Sequence, residues 1–443
     1  MAAFPRFKPL MPELSAGRNI GVAELGLRGS LRLAQTVAKV YPQALKWLLQ
    51  WRQPRPAELR ELFEALGATY IKFGQFIASS PSIFPKDYVD EFQSCLDQTP
   101  AIAFSKIRQI VEQDLGRPLE ALFDEFDEQA LASASIAQVH AARLKSGEDV
   151  VVKVQKPGVR AVLTTDMNTV YLLTRVLELI VPNTDRDAVA GLVSEMYQAM
   201  IDECDFIKEA ENLRVFRQFL ADTGNTQVVA PKPYAQVSSA RVLTMERFYG
   251  SALTDQGLSV AGGGRDPSEG LFNALNTWFA SLTQCPFFHA DLHSGNLLLL
   301  DDGRVGFIDF GMVGRIRPEA WQAMFSLFAG VSQQDYRMMA EAMVTVGITR
   351  DAVDVDALSR DIAALFENLN AVDPVSVLEN QSGDGINALL SDLGAIARNY
   401  GIRFPRSFTM LLKQFLYFDR YVELLAPGVD LFRDERVEMM LSH

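Results

Sequence analysis

Short apolar runs separated by turn residues predict several strands in the first half of the chain. Ala137–Leu144 and Val150–Gln155 are rich in apolar and β-branched side chains, and Ser146 and Gly147 between them are typical of a tight turn. Arg241–Glu246 has the same apolar character. The pattern predicts a small sheet, with two helices between its second and third strands.

Apolar residues at helical spacing predict helices in the rest of the chain. Ser194–Phe219 is predicted as one helix that is rich in acidic residues, and successive amphipathic helices follow Pro318. The aromatic-rich Leu411–Leu425 is predicted to pack in a core, with a lipid groove as the alternative. Leu297–Leu300 and Gly306–Ile308 are short apolar runs that predict two strands within this helical half.

The residues around these two strands indicate phosphoryl-transfer chemistry. His289–Asn296 reads His-Ala-Asp-Leu-His-Ser-Gly-Asn, and an Asp-Phe-Gly run begins at Asp309. In kinases this pattern supplies a base that accepts a hydroxyl proton and two ligands for Mg²⁺. Asp291 is the predicted base, Asn296 and Asp309 are the predicted metal ligands, and His289 is predicted to orient the loop. Each residue alone would be ordinary in a turn or cap, whereas the ordered set favours a catalytic site.

A kinase-like site also needs a lysine that holds the nucleotide phosphates. Lys153 lies within the run Val150–Val154, which otherwise matches a central strand. A lysine in such a strand is costly unless it is paired, so an acidic residue on a following helix is expected. Glu209 is the predicted partner, whereas Glu195 and Glu211 fit a solvated helix face.

The phosphate loop and the adenine pocket are predicted from the strands that flank Lys153. An alanine-rich loop stands where protein kinases carry a glycine-rich one, and alanine does not permit the positive φ angles of glycine. We therefore expect a stiffer loop. The predicted nucleotide-binding residues are Ala132, Ser133, Ala134, Ser135, Ile136, Lys153, Met245 and Glu246. No long activation segment follows Gly311, so no platform for a peptide substrate is expected.

Together with further motifs, these residues resemble the UbiB/AarF/ADCK family of atypical kinase-like proteins. The additional motifs are K-x-G-Q at Lys72–Gln75, E-x-D at Glu203 and Asp205, and the run Val152–Gly158. The likeness extends from about residue 62 to the C-terminus. Any one motif would be weak evidence, but their combination is specific.

The resemblance implies an α+β, two-lobed protein-kinase-like fold. The charge and hydrophobic pattern divides the chain into a basic N-terminal extension (1–56), a helical extension (57–122), a small β-containing N-lobe (123–246) and a mostly helical C-lobe (247–443). The resemblance also implies that Lys72 points toward the nucleotide and pairs with Glu203, with Gln75 and Asp205 nearby. From the sequence alone, Lys72 and Gln75 would be ordinary surface residues.

The family likeness further implies ATP and Mg²⁺ as cofactors and a role in isoprenoid-quinone, notably ubiquinone, synthesis. Leu292 and Ser294 replace two prolines of the usual catalytic loop, and Ser133 interrupts the alanine run. Because the charged groups remain, an active enzyme is favoured over a pseudoenzyme. A small-molecule phosphotransferase of the aminoglycoside or choline kinase type and a nucleotide-sensing scaffold without turnover remain alternatives.

Charge and composition restrict the partners and the compartment. The net charge of −13 argues against a nucleic-acid partner. The three cysteines are widely spaced, which indicates a reducing compartment rather than a disulfide framework. With no secretory signal and no run of about 18 apolar residues, a cytoplasmic location is expected. Peripheral association with the inner face of the membrane is the strongest membrane contact that the sequence supports.

The N-terminal segment differs in charge from the rest of the chain. Up to Arg60 there are ten Lys or Arg residues against three acids. Leu31–Trp51 mixes basic and apolar residues as an interfacial helix does. The segment either meets anionic lipid or docks on the acidic kinase body. Expected partners are therefore a nucleotide, a lipid or quinone precursor, the membrane surface and other quinone-biosynthesis proteins.

Overall fold

The computed structural model describes most of the chain. The described residues are 22–50, 52, 54–78, 86–92, 101–167, 170, 196–198, 200–255, 266–349, 352–370, 384–429 and 436. Trp51, Cys95, Ser194 and Glu195, on which parts of the sequence analysis rest, lie outside these residues.

Helices dominate both ends of the protein. The first six are α1 (Val22–Leu49), α2 (Pro56–Leu66), α3 (Ala68–Ala78), α4 (Lys86–Phe92), α5 (Phe104–Leu115) and α6 (Leu119–Leu122). The later ones are α7 (Phe206–Asp222), α8 (Pro267–Gln284), α9 (Pro318–Gln333), α10 (Tyr336–Val346), α11 (Val355–Asn370), α12 (Asp384–Asn399) and α13 (Arg406–Leu425). Residues 159–167 are also helical.

The strands among the described residues form two four-stranded sheets and one short ribbon. They are β1 (Phe123–Ser133), β2 (Ala137–Leu144), β3 (Asp149–Gln155), β4 (Val228–Val229), β5 (Val242–Glu246), β6 (Gly250–Ala252), β7 (Phe288–His289), β8 (Leu297–Leu300), β9 (Val305–Phe307) and β10 (Val313–Gly314). The first sheet has the order β1-β2-β3-β5 and the second β4-β9-β8-β6, while β7 pairs with β10.

The first sheet is antiparallel and carries Lys153 on an inner strand. Lys153 pairs with Val139 of β2 on one side and with Leu243 of β5 on the other. The predicted turn between β2 and β3 is present, and Gly147 adopts a φ of 97° there. β-branched residues favour such a central strand, and Val150, Val152 and Val154 are buried as a result.

Strand β1 is an element that the hydrophobic pattern did not predict. It pairs with β2 through a register interrupted by bulges, and only its first residue, Phe123, is buried. Because β1 is an edge strand with several exposed acidic residues, it lacks the alternation that reveals a half-buried strand. Its neighbours, rather than its own sequence, specify it.

The prediction of one continuous helix over Ser194–Phe219 was wrong. Described residues up to 202 are helical, the chain then turns at Glu203–Asp205, and α7 begins at Phe206. The Asp205 carboxylate accepts a hydrogen bond from Lys208 N at 3.0 Å and so caps α7. An aspartate in this position satisfies an amide that a helix start leaves unpaired. The E-x-D motif therefore lies at a helix boundary.

The helical extension contacts the first sheet's domain through a buried polar pair. Thr69 of α3 donates a hydrogen bond to Asp166 at 2.7 Å, and both side chains are buried. Apolar contacts continue this interface, since Phe73 packs against the buried cluster that contains Ile136 and Leu163. The extension is thus joined to the element that follows β3, close to the lysine strand.

The second sheet and the later helices share one large apolar core. Trp278 of α8 is fully buried, and its ring centroid lies 5.4 Å from those of Phe415 and Phe418 in α13. The core-packing prediction for Leu411–Leu425 is therefore confirmed for these rings. Val228–Val229, which the predicted boundary at 246 places in the first lobe, pairs with β9 in the second sheet.

Candidate active site

Lys153 lies between two carboxylates that come from different parts of the fold. Its Nζ is 2.9 Å from Glu209 Oε1, 3.0 Å from Glu209 Oε2 and 3.1 Å from Asp309 Oδ2. Glu209 is in the first turn of α7, and Asp309 follows β9. The predicted partnership of Lys153 with Glu209 is thus present as a contact, and the structure adds Asp309 to it.

The electrostatics of this group follow from burial and mutual pairing. Burial lowers the pKa of Lys153, but Asp309 and Glu209 more than offset it, so the net pKa is raised. Burial raises the pKa of Glu209 against the opposing effect of Lys153. For Asp309 burial raises the pKa, yet Lys153 brings the net value below its usual range. The ammonium therefore remains charged and Asp309 ionised.

The Asp-Phe-Gly segment is held by packing on its phenylalanine. Phe310 is fully buried, 4.8 Å from the Phe216 ring and 4.7 Å from the His289 ring. Asn212 of α7 donates to the Phe310 carbonyl at 2.9 Å. Asp309 itself has a φ of 60°, a conformation that costs energy in a non-glycine residue. The surrounding contacts maintain it and leave the Asp309 side chain half exposed.

The predicted catalytic loop, residues 289–296, is shaped by hydrogen bonds among its predicted site residues. Asn296 Nδ2 donates to the Asp291 carbonyl at 2.8 Å, and Asp291 N donates to His289 Nδ1 at 3.2 Å. The other ring nitrogen of His289 lies 3.0 Å from the Ile308 carbonyl, next to Asp309. His289 thus links the loop to the strand that carries Asp309. Burial lowers the pKa of His289, which favours the neutral ring.

A second ion pair joins the helical extension to the residues that precede α7. Lys72 Nζ of α3 is 3.0 Å from Glu203 Oε2, with both side chains largely covered. Burial raises the pKa of Glu203, Lys72 lowers it, and Asp309 and Asp291 raise it further. The predicted base and one predicted metal ligand are thus close enough to Glu203 to act on it electrostatically. Gln75 lies on the same helix and is partly buried, whereas the Asp205 side chain serves as the cap described above.

Helix α13 supplies site residues that sequence reasoning missed. Lys413 Nζ donates to Asp291 Oδ1 at 2.8 Å. Gln414 accepts from Leu292 N and donates to the Ala290 carbonyl, both at 2.7 Å, and the Tyr421 hydroxyl donates to the Leu292 carbonyl at 2.9 Å. The sequence signal that could have identified Gln414 was a glutamine within a predicted core helix, because such a residue must find hydrogen-bond partners when it is buried.

These contacts fix the charge of Asp291. Burial raises the pKa of its carboxyl group, but Lys413 and then His293 lower it, and the net pKa lies well below the usual range. The His293 ring nitrogen is 3.9 Å from Asp291 Oδ2. Asp291 is therefore ionised, as an acceptor of a proton must be.

The predicted nucleotide loop is held by main-chain hydrogen bonds, and some of its side chains are buried. Ala134 N donates to the Ala137 carbonyl at 2.9 Å, and Lys156 N donates to the Ile136 carbonyl at 2.8 Å. Ser135 and Ile136 are buried, whereas Ala132 is exposed. Ser133 Oγ is buried and makes no hydrogen bond to the described residues. Any contact of Ser135 or Ile136 with a nucleotide would thus use the main chain.

The predicted adenine residues lie at the end of β5. Met245 is buried opposite Val151, and the Glu246 N–H donates to the Lys232 carbonyl at 2.9 Å. The Glu246 carboxylate accepts from Lys232 N at 3.1 Å. Because the Glu246 main-chain N–H already donates to Lys232, a contact between the Glu246 main chain and adenine would have to use the Glu246 carbonyl oxygen.

The donor side chains of the site suit Mg²⁺, which phosphate oxygens and waters help to hold, better than a metal ion bound by protein side chains alone. Across the described ranges, no group of three or more His, Cys, Asp or Glu side chains could hold a metal ion. Mg²⁺ is usually bound through one or two carboxylates, with phosphate oxygens and waters completing its octahedron. The Asp309 carboxylate and the Asn296 amide oxygen fit that requirement.

Comparisons with known proteins indicate the family to which the chain belongs. Residues 94–343 match the ABC1 atypical kinase-like domain. An uncharacterized chloroplastic aarF domain-containing protein kinase of Arabidopsis thaliana is 43% identical over 94% of this chain and 83% of its own length. An uncharacterized protein of Mycobacterium tuberculosis is 32% identical over 87% of this chain and 78% of its own. The protein named probable protein kinase UbiB in Tolumonas auensis is 29% identical, with coverages of 89% and 72%.

The fold is α+β and kinase-like, with helices added before the first sheet. The chain belongs to the ABC1/aarF family of atypical kinase-like proteins, which includes the proteins named UbiB. The family resemblance drawn from the motifs is therefore confirmed. Within the part of the chain that is described, no helix is both long and apolar enough to cross a bilayer.

Proposed function

We propose that this protein binds Mg·ATP in the cleft between β3, α7 and the catalytic loop and acts as an atypical kinase or ATPase. The contact of Lys153 with both Glu209 and Asp309 carries this proposal. Phosphoryl transfer depends on positioning and on charge neutralisation. A phosphate-binding ammonium beside a metal-binding carboxylate provides both.

Six residues have assigned roles in the proposed reaction. Lys153 binds phosphate oxygens, and Glu209 keeps the ammonium in place. Asp309 and Asn296 hold Mg²⁺, which when bound neutralises charge on the phosphates. Asp291 accepts the proton of the attacking hydroxyl or water. His289 orients the loop through its contacts with Asp291 N and the Ile308 carbonyl.

The remaining predicted residues shape access to the nucleotide. The main chain of Ala132–Ile136 covers the phosphates, and Met245 and Glu246 border the adenine. The Lys72–Glu203 pair closes one side of the cleft, with Gln75 and Asp205 as supporting residues. Only residues 315–317 separate β10 from α9, which leaves little surface for a peptide. This favours water or a small acceptor over a protein substrate.

We further propose a role in isoprenoid-quinone or related membrane-lipid metabolism, supported by the relatives named UbiB. The exposed residues Val37, Tyr41, Leu45 and Leu49 recur at four-residue spacing and form one apolar face of α1. Other side chains of the segment dock within the extension, since Lys46 and Arg52 pair with Glu58. The apolar face fits peripheral contact at the inner surface of a membrane, with quinone precursors and quinone-biosynthesis proteins as partners.

Phosphate release from ATP tests this proposal. Hydrolysis should require Mg²⁺ and should rise with anionic liposomes or a quinone-precursor mimic. Asp309→Asn should lower turnover by about 100-fold or more, because one of the proposed metal ligands loses its charge. Asp302→Asn is the matched control, since Asp302 is an exposed loop residue whose partner is Arg304.

Other outcomes would favour the alternatives. Turnover that depends on an aminoglycoside or choline acceptor, without stimulation by lipid, would indicate a small-molecule phosphotransferase. Tight Mg·ATP binding without turnover would indicate a nucleotide-sensing scaffold. Undiminished hydrolysis by Asp309→Asn would refute the metal assignment.

A further inference from the structure

Lys413 is a largely buried cation whose partner is the proposed base. Its side chain is 20% exposed, and its ammonium lies 2.8 Å from Asp291 Oδ1 and 5.3 Å from the centre of the Tyr417 ring. It reaches the cleft from α13, on the side of the catalytic loop, whereas Lys153 approaches from β3. The roles proposed so far for nucleotide and metal binding do not use Lys413.

We propose that Lys413 is a phosphate-binding residue that contacts the transferred phosphoryl group beside Asp291. This inference rests on the proposed function and adds to it a residue specific for the terminal phosphate. In the structure the ammonium is held by Asp291, and during turnover it donates a further hydrogen bond to a phosphoryl oxygen. A lysine ammonium has three donors, so it can serve both groups at once.

The position of Asp291 determines where the reacting atoms must be. The attacking oxygen lies within hydrogen-bond reach of Asp291, about 3 Å away, and in line with the terminal phosphorus. A bond forms between this oxygen and phosphorus as the bond from phosphorus to the bridging oxygen breaks. The proton passes to Asp291, and the electron pair leaves with ADP. An ammonium adjacent to Asp291 is therefore next to the oxygens of the group in transit.

A purely structural role does not account for Lys413. Gln414 already fixes the loop backbone through the Leu292 amide and the Ala290 carbonyl, and Tyr421 binds the Leu292 carbonyl. Burying an additional ammonium has a desolvation cost that an apolar side chain of similar length would avoid. Asp291 accounts for one of the three donors of this ammonium, and the others can serve an anion that binds beside it.

The other two cleft lysines cannot readily replace it. Lys153 is held by Glu209 and Asp309, and Lys72 is held by Glu203. Both lysines come from the first sheet's domain and the helical extension. Lys413 is the lysine that donates a hydrogen bond to the proposed base in the described structure, so the transferred group would lie within reach of both Lys153 and Lys413.

The test compares Lys413→Met and Lys413→Arg with the native protein. Calorimetry measures affinity for Mg·ADP and for a non-hydrolysable Mg·ATP analogue, and phosphate release gives kcat and KM. Lys413→Met should lower kcat by about 100-fold and weaken binding of the ATP analogue by about tenfold, with Mg·ADP affinity within about twofold. Lys413→Arg should retain about a third of kcat, because it restores the charge.

Lys145→Met serves as the matched control. Lys145 forms an exposed pair with Asp124 at the edge of the first sheet, so its loss should change none of these values. Asp291→Asn should not be additive with Lys413→Met, since the two side chains would act on one group.

Several results would overturn the inference. Unchanged kcat in Lys413→Met would do so, as would an equal loss of ADP and ATP-analogue affinity, which indicates general disruption. Faster turnover by Lys413→Met would also overturn it, because the Lys413–Asp291 contact would then inhibit the native protein. If native protein binds no Mg·ATP, the proposed function fails and this inference falls with it. If the native protein binds Mg·ATP without hydrolysing it, the affinities still decide. The inference then requires that the native protein binds the ATP analogue more tightly than Mg·ADP and that Lys413→Met loses this preference.

Discussion

The Lys153 ammonium lies 3.1 Å from the Asp309 carboxylate, although Lys153 is on a strand of the first sheet and Asp309 follows a strand of the second. Glu209 completes the group from α7, at 2.9 Å from the same nitrogen. Because a phosphate-binding cation and a metal-binding anion must share one triphosphate, this proximity is the relationship on which the proposed chemistry depends.

Removing the Glu209 charge should affect both stability and turnover. Glu209 is fully buried and binds Lys153 through both oxygens. We expect Glu209→Gln to lower the free energy of unfolding by about 3 kcal/mol, because breaking a buried pair leaves a charge less compensated. Turnover should fall by about tenfold or more as Lys153 loses its position. Denaturant unfolding and phosphate release measure the two effects.

Glu211 provides the control on the same helix. It is exposed and pairs with Arg214 at 2.6 Å across the helix surface. Glu211→Gln should change the free energy of unfolding by less than about 0.5 kcal/mol. Equal effects of the two substitutions would mean that the Lys153–Glu209 contact has no special importance.

Gln414 should be essential for the shape of the catalytic loop. Gln414→Leu leaves the Leu292 amide and the Ala290 carbonyl without these partners in a buried region. We expect a loss of about 3 kcal/mol in unfolding free energy and a larger decrease in kcat than in nucleotide affinity. Thermal unfolding, calorimetry and phosphate release test this.

Tyr421→Phe is a milder substitution to compare with Gln414→Leu. It removes one hydrogen bond, from the Tyr421 hydroxyl to the Leu292 carbonyl, and should cost about 1 kcal/mol. A loop that keeps full activity without Gln414 would show that α13 does not position it.

Asp114 should confer acid-sensitive stability that is independent of catalysis. Its carboxylate accepts from Ser239 at 2.7 Å and from Arg241 Nε at 2.9 Å. Burial raises the pKa of Asp114, but Arg241 and Ser239 bring it below its usual range. A lowered folded-state pKa contributes stability above the unfolded-state pKa of about 3.9, and that stability is lost as pH falls through the folded-state value.

Asp114→Asn should therefore destabilise the protein by about 2 kcal/mol at neutral pH, with the difference shrinking as pH falls below about 4. Urea unfolding across this range measures it. Asp124→Asn, which alters an exposed pair with Lys145, is the control. A difference that stayed constant with pH would refute the assigned role.

Cys204 should resist alkylation in the folded protein. It is buried beside Glu203, and burial, followed by the Glu203 carboxylate, raises the pKa of its thiol to about 12. At pH 8 the reactive thiolate is then scarce. Iodoacetamide labelling resolved by peptide mass spectrometry should show slow modification of Cys204 until denaturant is added. Equal rates in folded and denatured protein would contradict this expectation.

The sequence predicted the local features of the site well and its long-range contacts less well. The strand around Lys153 and the catalytic loop follow from short patterns, and the Lys153–Glu209 contact follows from the cost of an unpaired buried charge. Lys72–Glu203 was expected from family resemblance alone. Lys413 and Gln414 were missed because their partners lie far away in the chain. Strand β1 and the helix break at Asp205 were missed because exposed acids and one capping residue override the apolar pattern.

The most direct test of the central claim is a crystal structure with Mg²⁺ and a non-hydrolysable ATP analogue. We predict that the metal is bound by Asp309 and Asn296 and that Lys153 contacts the phosphates of the same nucleotide. A nucleotide bound outside the cleft between Lys153 and Asp309, or a metal with neither Asp309 nor Asn296 as a ligand, would contradict the account.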